Sequence, residues 1–180
     1  MTADASTLIG PVQMRVLQTS DAGPLSAAYQ LNRDHLGPWE PARSAEFFTP
    51  AGQSAVIESK LALQAAGQEV PWVLLEGSRI IGTITLTGIV RGPFLSANLG
   101  YWVDREFNSR GIGSAAVGRV LAAARDHLGL HRVQAATLVH NAASRRILAR
   151  AGFDEIGTAP SYLKIAGTWQ DHVLFQRILG

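Results

Sequence analysis

Polar and apolar residues are spaced along this chain in runs that mark out its elements. Val12, Met14 and Val16 interleave with Gln13 and Arg15, the period-two pattern of a strand. Asp21 then stands as a helix N-cap, and Leu25, Ala28, Tyr29 and Leu31 lay an apolar stripe along the helix that follows. Leu36-Gly-Pro-Trp-Glu-Pro41 must end that helix, because two prolines and a glycine cannot continue it. A second helix runs to Ala66 from either Ser44 or Gln53; its start is poorly marked, and Pro50-Ala-Gly52 could divide it. Residues 72–75 and 80–87 form a hairpin about the turn 76–79, and a loop holding Gly92-Pro93 leads to a strand at 99–103. Ile112, Ala116, Val120 and Ala123, with Val117, Leu121, Ala124 and Leu128 beside them, predict a helix over 111–128. Arg119, Arg125 and Asp126 face away from that stripe. A strand at 132–139, a helix from Asn141, a strand at 153–158, a loop or hairpin at 161–168 and a last strand at 169–179 complete the chain. The order β-α-α-β-β-β-α-β-α-β-β describes one mixed, mostly antiparallel α+β domain of about seven strands and about four helices over residues 1–180, with 1–10 frayed.

Composition narrows the function. At 180 residues the chain is one ordinary domain, able to bury about 70% of its unfolded surface. Sixteen basic against 14 acidic residues leave a net charge of +2, too small an excess to argue for nucleic acid. The arginines nevertheless gather between residues 105 and 150, where they either form a solvated face or attract a phosphate-rich ligand. With no cysteine the chain has no disulfide, no thiolate metal site and no cysteine nucleophile, and no metal site is expected. The N-terminus lacks a basic start followed by a long apolar run, and no segment reaches the 18 apolar residues of a membrane span. These features predict a cytoplasmic protein without a membrane partner.

The chemistry concentrates in Asn98-Leu-Gly-Tyr-Trp-Val-Asp-Arg-Glu-Phe-Asn-Ser-Arg-Gly-Ile-Gly-Ser114, a strand, a short turn and the start of the long helix. Arg110, Gly111 and Gly113 at a helix start leave several main-chain N–H groups unpaired, and glycine lets a ligand come close to them. The helix dipole adds partial positive charge, which suits a pyrophosphate. Gly111-x-Gly113-x-x-Ala116 also fits the dinucleotide fingerprint of a Rossmann domain. That fold requires the first glycine directly after the strand and an acidic residue about 20 residues on. Here seven residues, 104–110, intervene, and the next strand carries no Asp or Glu.

Asn108-Ser-Arg-Gly111-Ile-Gly113 resembles the Arg/Gln-x-x-Gly-x-Gly/Ala signature of the GNAT acetyltransferase superfamily, with Asn108 in place of the usual Arg or Gln. Asn141-Ala-Ala-Ser144 and the helix ending in Gly152-Phe153 resemble that superfamily's second block. With Trp169-Gln-Asp-His-Val173, the likeness extends over nearly the whole chain, and it is strongest to the branch that acetylates the N-terminal alanine or serine of ribosomal proteins. It implies a sheet splayed between its fourth and fifth strands to admit acetyl-CoA, a protein N-terminus as acceptor, no acyl-enzyme, and room for a homodimer.

The resemblance also implies site residues. Asn108, Ser109, Arg110, Gly111, Ile112, Gly113 and Ser114 would hold the pyrophosphate. Main-chain groups of Tyr101, Trp102 and Val103 would pair with the pantetheine arm, with the N–H of Trp102 or Val103 as oxyanion donor. Asn141 would cap its helix or bind the cofactor arm. Ser144 would touch the cofactor and give the departing thiolate its proton, with Tyr101 and Tyr162 as alternative donors. Trp39, Glu69 and Tyr162 would line the acceptor site. Relatives often carry Glu where this chain has Asn98, which cannot take a proton but could hold a water that does. Glu69 is then the carboxylate best placed as general base, and Glu40 its rival; Asp171 and His172 read as structural. Neutralising an α-amine of pKa about 7.7–8.0 at pH 7 costs only about 1 kcal/mol, against about 4.6 kcal/mol for a lysine at about 10.4. A site without a strong base therefore suits an α-amine. The alternatives are a small-molecule amine acceptor and a non-catalytic acyl-CoA sensor.

Overall fold

The computed structural model describes residues 5–180. Its eight strands are β1 (Ser6–Ile9), β2 (Val12–Val16), β3 (Val70–Glu76), β4 (Arg79–Val90), β5 (Ser96–Val103), β6 (Arg132–Leu138), β7 (Asp154–Ile165) and β8 (Thr168–Ile178). Its α-helices are α1 (Ala22–Leu31), α2 (Arg33–Leu36), α3 (Pro50–Ala65), α4 (Ile112–Asp126) and α5 (Ala142–Arg150). One open sheet runs β1-β2-β3-β4-β5-β6-β8-β7, antiparallel everywhere except between β5 and β6.

The parallel join positions the site. β5 and β6 pair only at Ser96 with Arg132, Ala97 with Val133 and Asn98 with Gln134. Beyond that point each strand stays bonded on its other side: β5 to β4 as far as Val103 with Gly82, and β6 to β8 as far as Leu138 with His172. The two strands part without losing their outer ladders, as the resemblance implied. Two apolar clusters clamp the sheet. On one face Leu74, Ile84, Leu86 and Leu99 meet Ile112, Ala116, Val117, Val120 and Leu148 of α4 and α5. On the other Val73, Leu75, Ile80 and Trp102 meet Leu25, Ala28 and Ile57 of α1 and α3.

Several boundaries differ from expectation. Residues 1–4 lie outside the described residues, but Ser6–Ile9, expected to fray, is strand β1: it pairs antiparallel with β2, and Arg119 of α4 donates to Ser6 Oγ and Thr7 O at 3.0 Å each. This strand raises the count to eight, and the short α2 raises the helices to five. Asp21 does not cap α1 through its side chain. Its carboxylate takes a forked bond from Arg15, at 2.6 and 2.7 Å, and the Gln18 N–H at 2.8 Å. The start of α3 is settled by Thr49, whose Oγ1 accepts from Gly52 N–H, with Pro50 in the first turn where its missing N–H costs nothing. Of the loop and the hairpin open at 161–168, the hairpin forms: residues 161–165 extend β7, which pairs with β8 and turns at Ala166 and Gly167.

Asp104 anchors the exit from β5. It is buried; its N–H donates to Ile81 O at 2.7 Å, and its carboxylate accepts from Arg79 at 2.6 Å and Glu106 N–H at 2.9 Å. Burial pushes this carboxyl up, but bonds from Asn32, Glu106 N–H and Arg79 outweigh it and hold it below its ordinary value. Asp104→Ala should therefore cost about 2 kcal/mol, a lost cap plus one bond to a half-exposed guanidinium. A carboxyl depressed on folding contributes stability that is whole above its unfolded pKa and is lost as pH falls through the folded one. Urea melts should find the deficit full at pH 7 and its ionic part shrinking below about pH 4.

Candidate active site

The site is the opening between β5 and β6 and the two spaces it joins. On the α4 side, residues 105–107 make one tight turn and the chain swings through Asn108 and Ser109 (φ 63°) to Gly111 (φ 78°), the N-cap of α4. Ala115 N–H reaches Gly111 O at 2.9 Å, so the N–H groups of Ile112, Gly113 and Ser114 precede the first intrahelical bond. At Gly111 the left-handed backbone requires glycine. A Cβ on Gly113 would come within 3.0 Å of Ile147 Cδ1, so α4 and α5 close together behind the cradle. Gly111, Ser109 and Arg110 are exposed, and the Arg110 guanidinium lies 4.8 Å from the ring centre of Phe107. A site of this kind, with main-chain donors, positive dipole and no side chain in the way, fits a diphosphate.

Ladder alternation decides which main-chain groups face the opening. The bond from Asp104 N–H to Ile81 O sets the phase of β5 against β4, whose register is unbroken from Asn98 to Val103. Asp104, Trp102, Gly100 and Asn98 therefore turn their N–H and C=O to β4, and Val103, Tyr101 and Leu99 turn theirs to the opening. Of the two expected oxyanion donors, the Val103 N–H is available and that of Trp102 is spent in the sheet; Tyr101 N–H is the other candidate.

Across the opening, Asn141 caps α5, its Oδ1 accepting from Ser144 N–H at 3.0 Å. Ser144 Oγ lies 2.8 Å from Tyr101 Oη, the one contact in which β5 and α5 present hydroxyls to each other. Burial pushes the Tyr101 phenol up to about 12, against the smaller opposing effect of the Ser144 bond, so it stays protonated near neutrality.

The other space is a cavity of about 390 Å³ between the sheet and α1, α3 and the 37–48 segment. Thr83, Thr85 and Thr87 of β4, Gly100, Tyr101 and Trp102 of β5, Tyr29, Glu40, Arg43, Gln53 and Lys60 line it. Trp102 Nε1 donates to Tyr29 Oη at 3.1 Å, fixing the indole on the sheet. Burial pushes the Tyr29 phenol to about 12. Burial also raises the Glu40 carboxyl, with Arg43 pulling it partly back.

Not every expected residue converges here. Glu69 is buried, but its carboxylate takes Lys60 Nζ at 2.6 Å and it is absent from the cavity lining. Asn98 sits on the cavity face beyond Gly100, level with Thr87. Trp39 lies beside Glu40 with its ring 5.4 Å from that of His140, just before the cap of α5. Tyr162 is exposed on the β7–β8 hairpin, its ring 5.7 Å from that of His172, which pairs with Leu138 at the end of β6. Asp171 accepts Ser161 N–H and His172 bonds Gln170 O, the structural roles expected. Tyr29 and Gln53 were missed. The Thr-x-Thr-x-Thr alternation over 83–87 was the one sequence signal for a polar row on an otherwise apolar strand.

Residues 12–154 match the acetyltransferase (GNAT) domain model. Over 163 residues the chain is 32% identical to the [ribosomal protein uS5]-alanine N-acetyltransferase of Escherichia coli K12, covering 89% of this chain and 84% of that protein. The ribosomal-protein-S5-alanine acetyltransferase of Vibrio fischeri superposes with a TM-score of 0.92 at 35% identity, covering 97% of each chain. Mycobacterium smegmatis RimJ, solved in complex with CoA-disulfide, superposes with a TM-score of 0.89 at 29% identity, covering 93% of this chain and 81% of that one.

Proposed function

The chain belongs to the GNAT acetyltransferase family, and from that premise we propose that it acetylates the N-terminal α-amine of a protein, a ribosomal protein such as its relatives modify. It is an acetyl-CoA-dependent N-acetyltransferase. The observation that carries this reading is the pairing of a bare main-chain cradle at α4 with strands that part beside it. Acetyl-CoA brings the activated acetyl group; the diphosphate fits the N–H groups of Ile112, Gly113 and Ser114, and an extended amide chain fits the free edges of β5 and β6.

The residues of this chain then have distinct tasks. The cradle and strand edges fix position, which can supply up to about 7–11 kcal/mol of barrier reduction. The N–H of Val103 or Tyr101 faces the opening and stabilises a carbonyl oxygen as it gains charge. Ser144 Oγ–H is the proton donor to the leaving sulphur, with the neutral Tyr101 phenol able to replace that proton across their 2.8 Å contact. Asn141 holds Ser144 in place through its main chain. Glu69 acts at one remove, fixing Lys60 in the cavity wall, and Asn98 lies on the same face of β5 as Gly100, paired with Thr87. The amine enters from the α1/α3 face, opposite the cradle, so the two reactants meet only in the opening. No helix among the described residues is long and apolar enough to cross a membrane, and a ribosomal acceptor places the reaction in the cytoplasm.

Two outcomes follow. An alanine- or serine-starting peptide should be acetylated faster than an N-blocked peptide whose only amine is a lysine, because the lysine costs about 3.6 kcal/mol more to neutralise at pH 7. Product mass spectrometry settles it; a faster lysine peptide contradicts the acceptor assignment. Ser144→Ala should lower kcat about 10²-fold while leaving acetyl-CoA affinity near that of the parent, read by steady-state kinetics and calorimetry.

A further inference from the structure

The acceptor cavity contains a buried hydrogen-bond acceptor without a partner. Gln53 is completely buried on α3 and lines the cavity. Its Nε2 donates to Phe47 O at 2.6 Å, which fixes the amide, while Oε1 meets no donor among the described residues. A buried carbonyl oxygen left unpaired costs stability comparable to a lost hydrogen bond, so its presence in a cavity wall points to a ligand that donates. Glu40 lines the same cavity with a side chain 22% exposed. The two are joined through one cluster: Arg43 lies 4.0 Å from the Glu40 carboxylate and stacks on Phe47, whose carbonyl holds Gln53.

We propose that Glu40 and Gln53 form the subsite for the acceptor's N-terminal ammonium: Gln53 Oε1 accepts an N–H of the acceptor, and the Glu40 carboxylate accepts its proton before attack. This rests on the acetyltransferase reading and deepens it, supplying the base that Asn98 cannot be and that Glu69, tied to Lys60, does not bring to the cavity. In the step, one ammonium N–H bond breaks and a Glu40 O–H bond forms. The nitrogen keeps its electron pair for the thioester carbonyl, and Glu40 later returns the proton to solvent.

The surroundings suit that role. Tyr29 from α1 is neutral below about 12, Lys60 from α3 is held by Glu69, and the Tyr101 phenol from β5 is likewise neutral. The β7–β8 hairpin meets Glu40 through its main chain, Ala166 N–H donating to Glu40 O at 3.0 Å. Arg43 is therefore the one charged group beside Glu40 whose counter-ion is Glu40 itself. Desolvation raises the Glu40 carboxyl, bringing it nearer to the α-amine whose proton it takes.

The test uses the full-length protein, an alanine-starting peptide, and the same peptide with lactate in place of its first alanine. Glu40→Gln should lower kcat/KM about 10²-fold at pH 7, with the deficit shrinking toward pH 9 as the amine, of pKa about 7.7–8.0, loses its own proton. Gln53→Met should raise KM for the peptide about tenfold with a smaller effect on kcat. Coenzyme A binding by calorimetry should stay at the parent's value in both variants, which shows that they are folded. With coenzyme A bound, the parent should bind the alanine peptide better than the lactate peptide, and each variant should lose part of that preference. A pH-independent loss in Glu40→Gln, or an unchanged preference in both variants, overturns the subsite. A parent that turns over no α-amine at all overturns the transferase reading instead, and the binding comparison still judges the subsite.

Discussion

The centre of this fold depends on two adjacent strands that stop pairing after three residues. Parting a sheet in its middle would ordinarily strand a row of main-chain donors and acceptors. Here the cost is confined to one edge of each strand, because β5 keeps its ladder with β4 and β6 keeps its ladder with β8 through the whole divergence. The separated edges leave extended main-chain donors and acceptors facing one another. α4 begins at the mouth of this divergence, where Gly113 packs between Ile147 of α5 and Val103 of β5. The same glycine that permits this closeness also bares the helix terminus.

The opening makes the two faces of the sheet chemically different. The α4/α5 face offers uncharged main-chain donors and an arginine-rich surround, which suits anionic phosphate. The α1/α3 face offers polar side chains instead: three threonines in a row, Glu40 and Gln53, with Arg43 and Lys60 each beside a carboxylate. The hydroxyl pair Tyr101–Ser144 links β5 to α5 beside the opening.

Much of this was legible in the residues. The apolar stripe of α4, its start at the glycines 111 and 113, the Asn141 cap and the order of strands each follow from local rules that tertiary contacts did not override. What escaped was set by distant contacts. β1 lies outside the alternating run of β2 but pairs with it, and Arg119, more than a hundred residues away, bonds Ser6 Oγ and Thr7 O. Asp21 turned from its helix because Arg15 on the neighbouring strand offered a charged fork. Glu69 looked free in sequence, yet Lys60, nine residues earlier on α3, returns over it. Gln53 carried no motif at all; only the packing of α3 against the Phe47 turn gives it a fixed donor contact and a spare acceptor.

Backbone hydrogen exchange by NMR, with and without acetyl-CoA, tests the central claim most directly. Main-chain gripping at the α4 terminus and along the parted strands predicts slowed exchange at Ile112, Gly113, Ser114, Tyr101 and Val103, with Trp102, already bonded to β4, little changed. Unaltered exchange at the α4 terminus and at Tyr101 and Val103, with acetyl-CoA saturating, would contradict it.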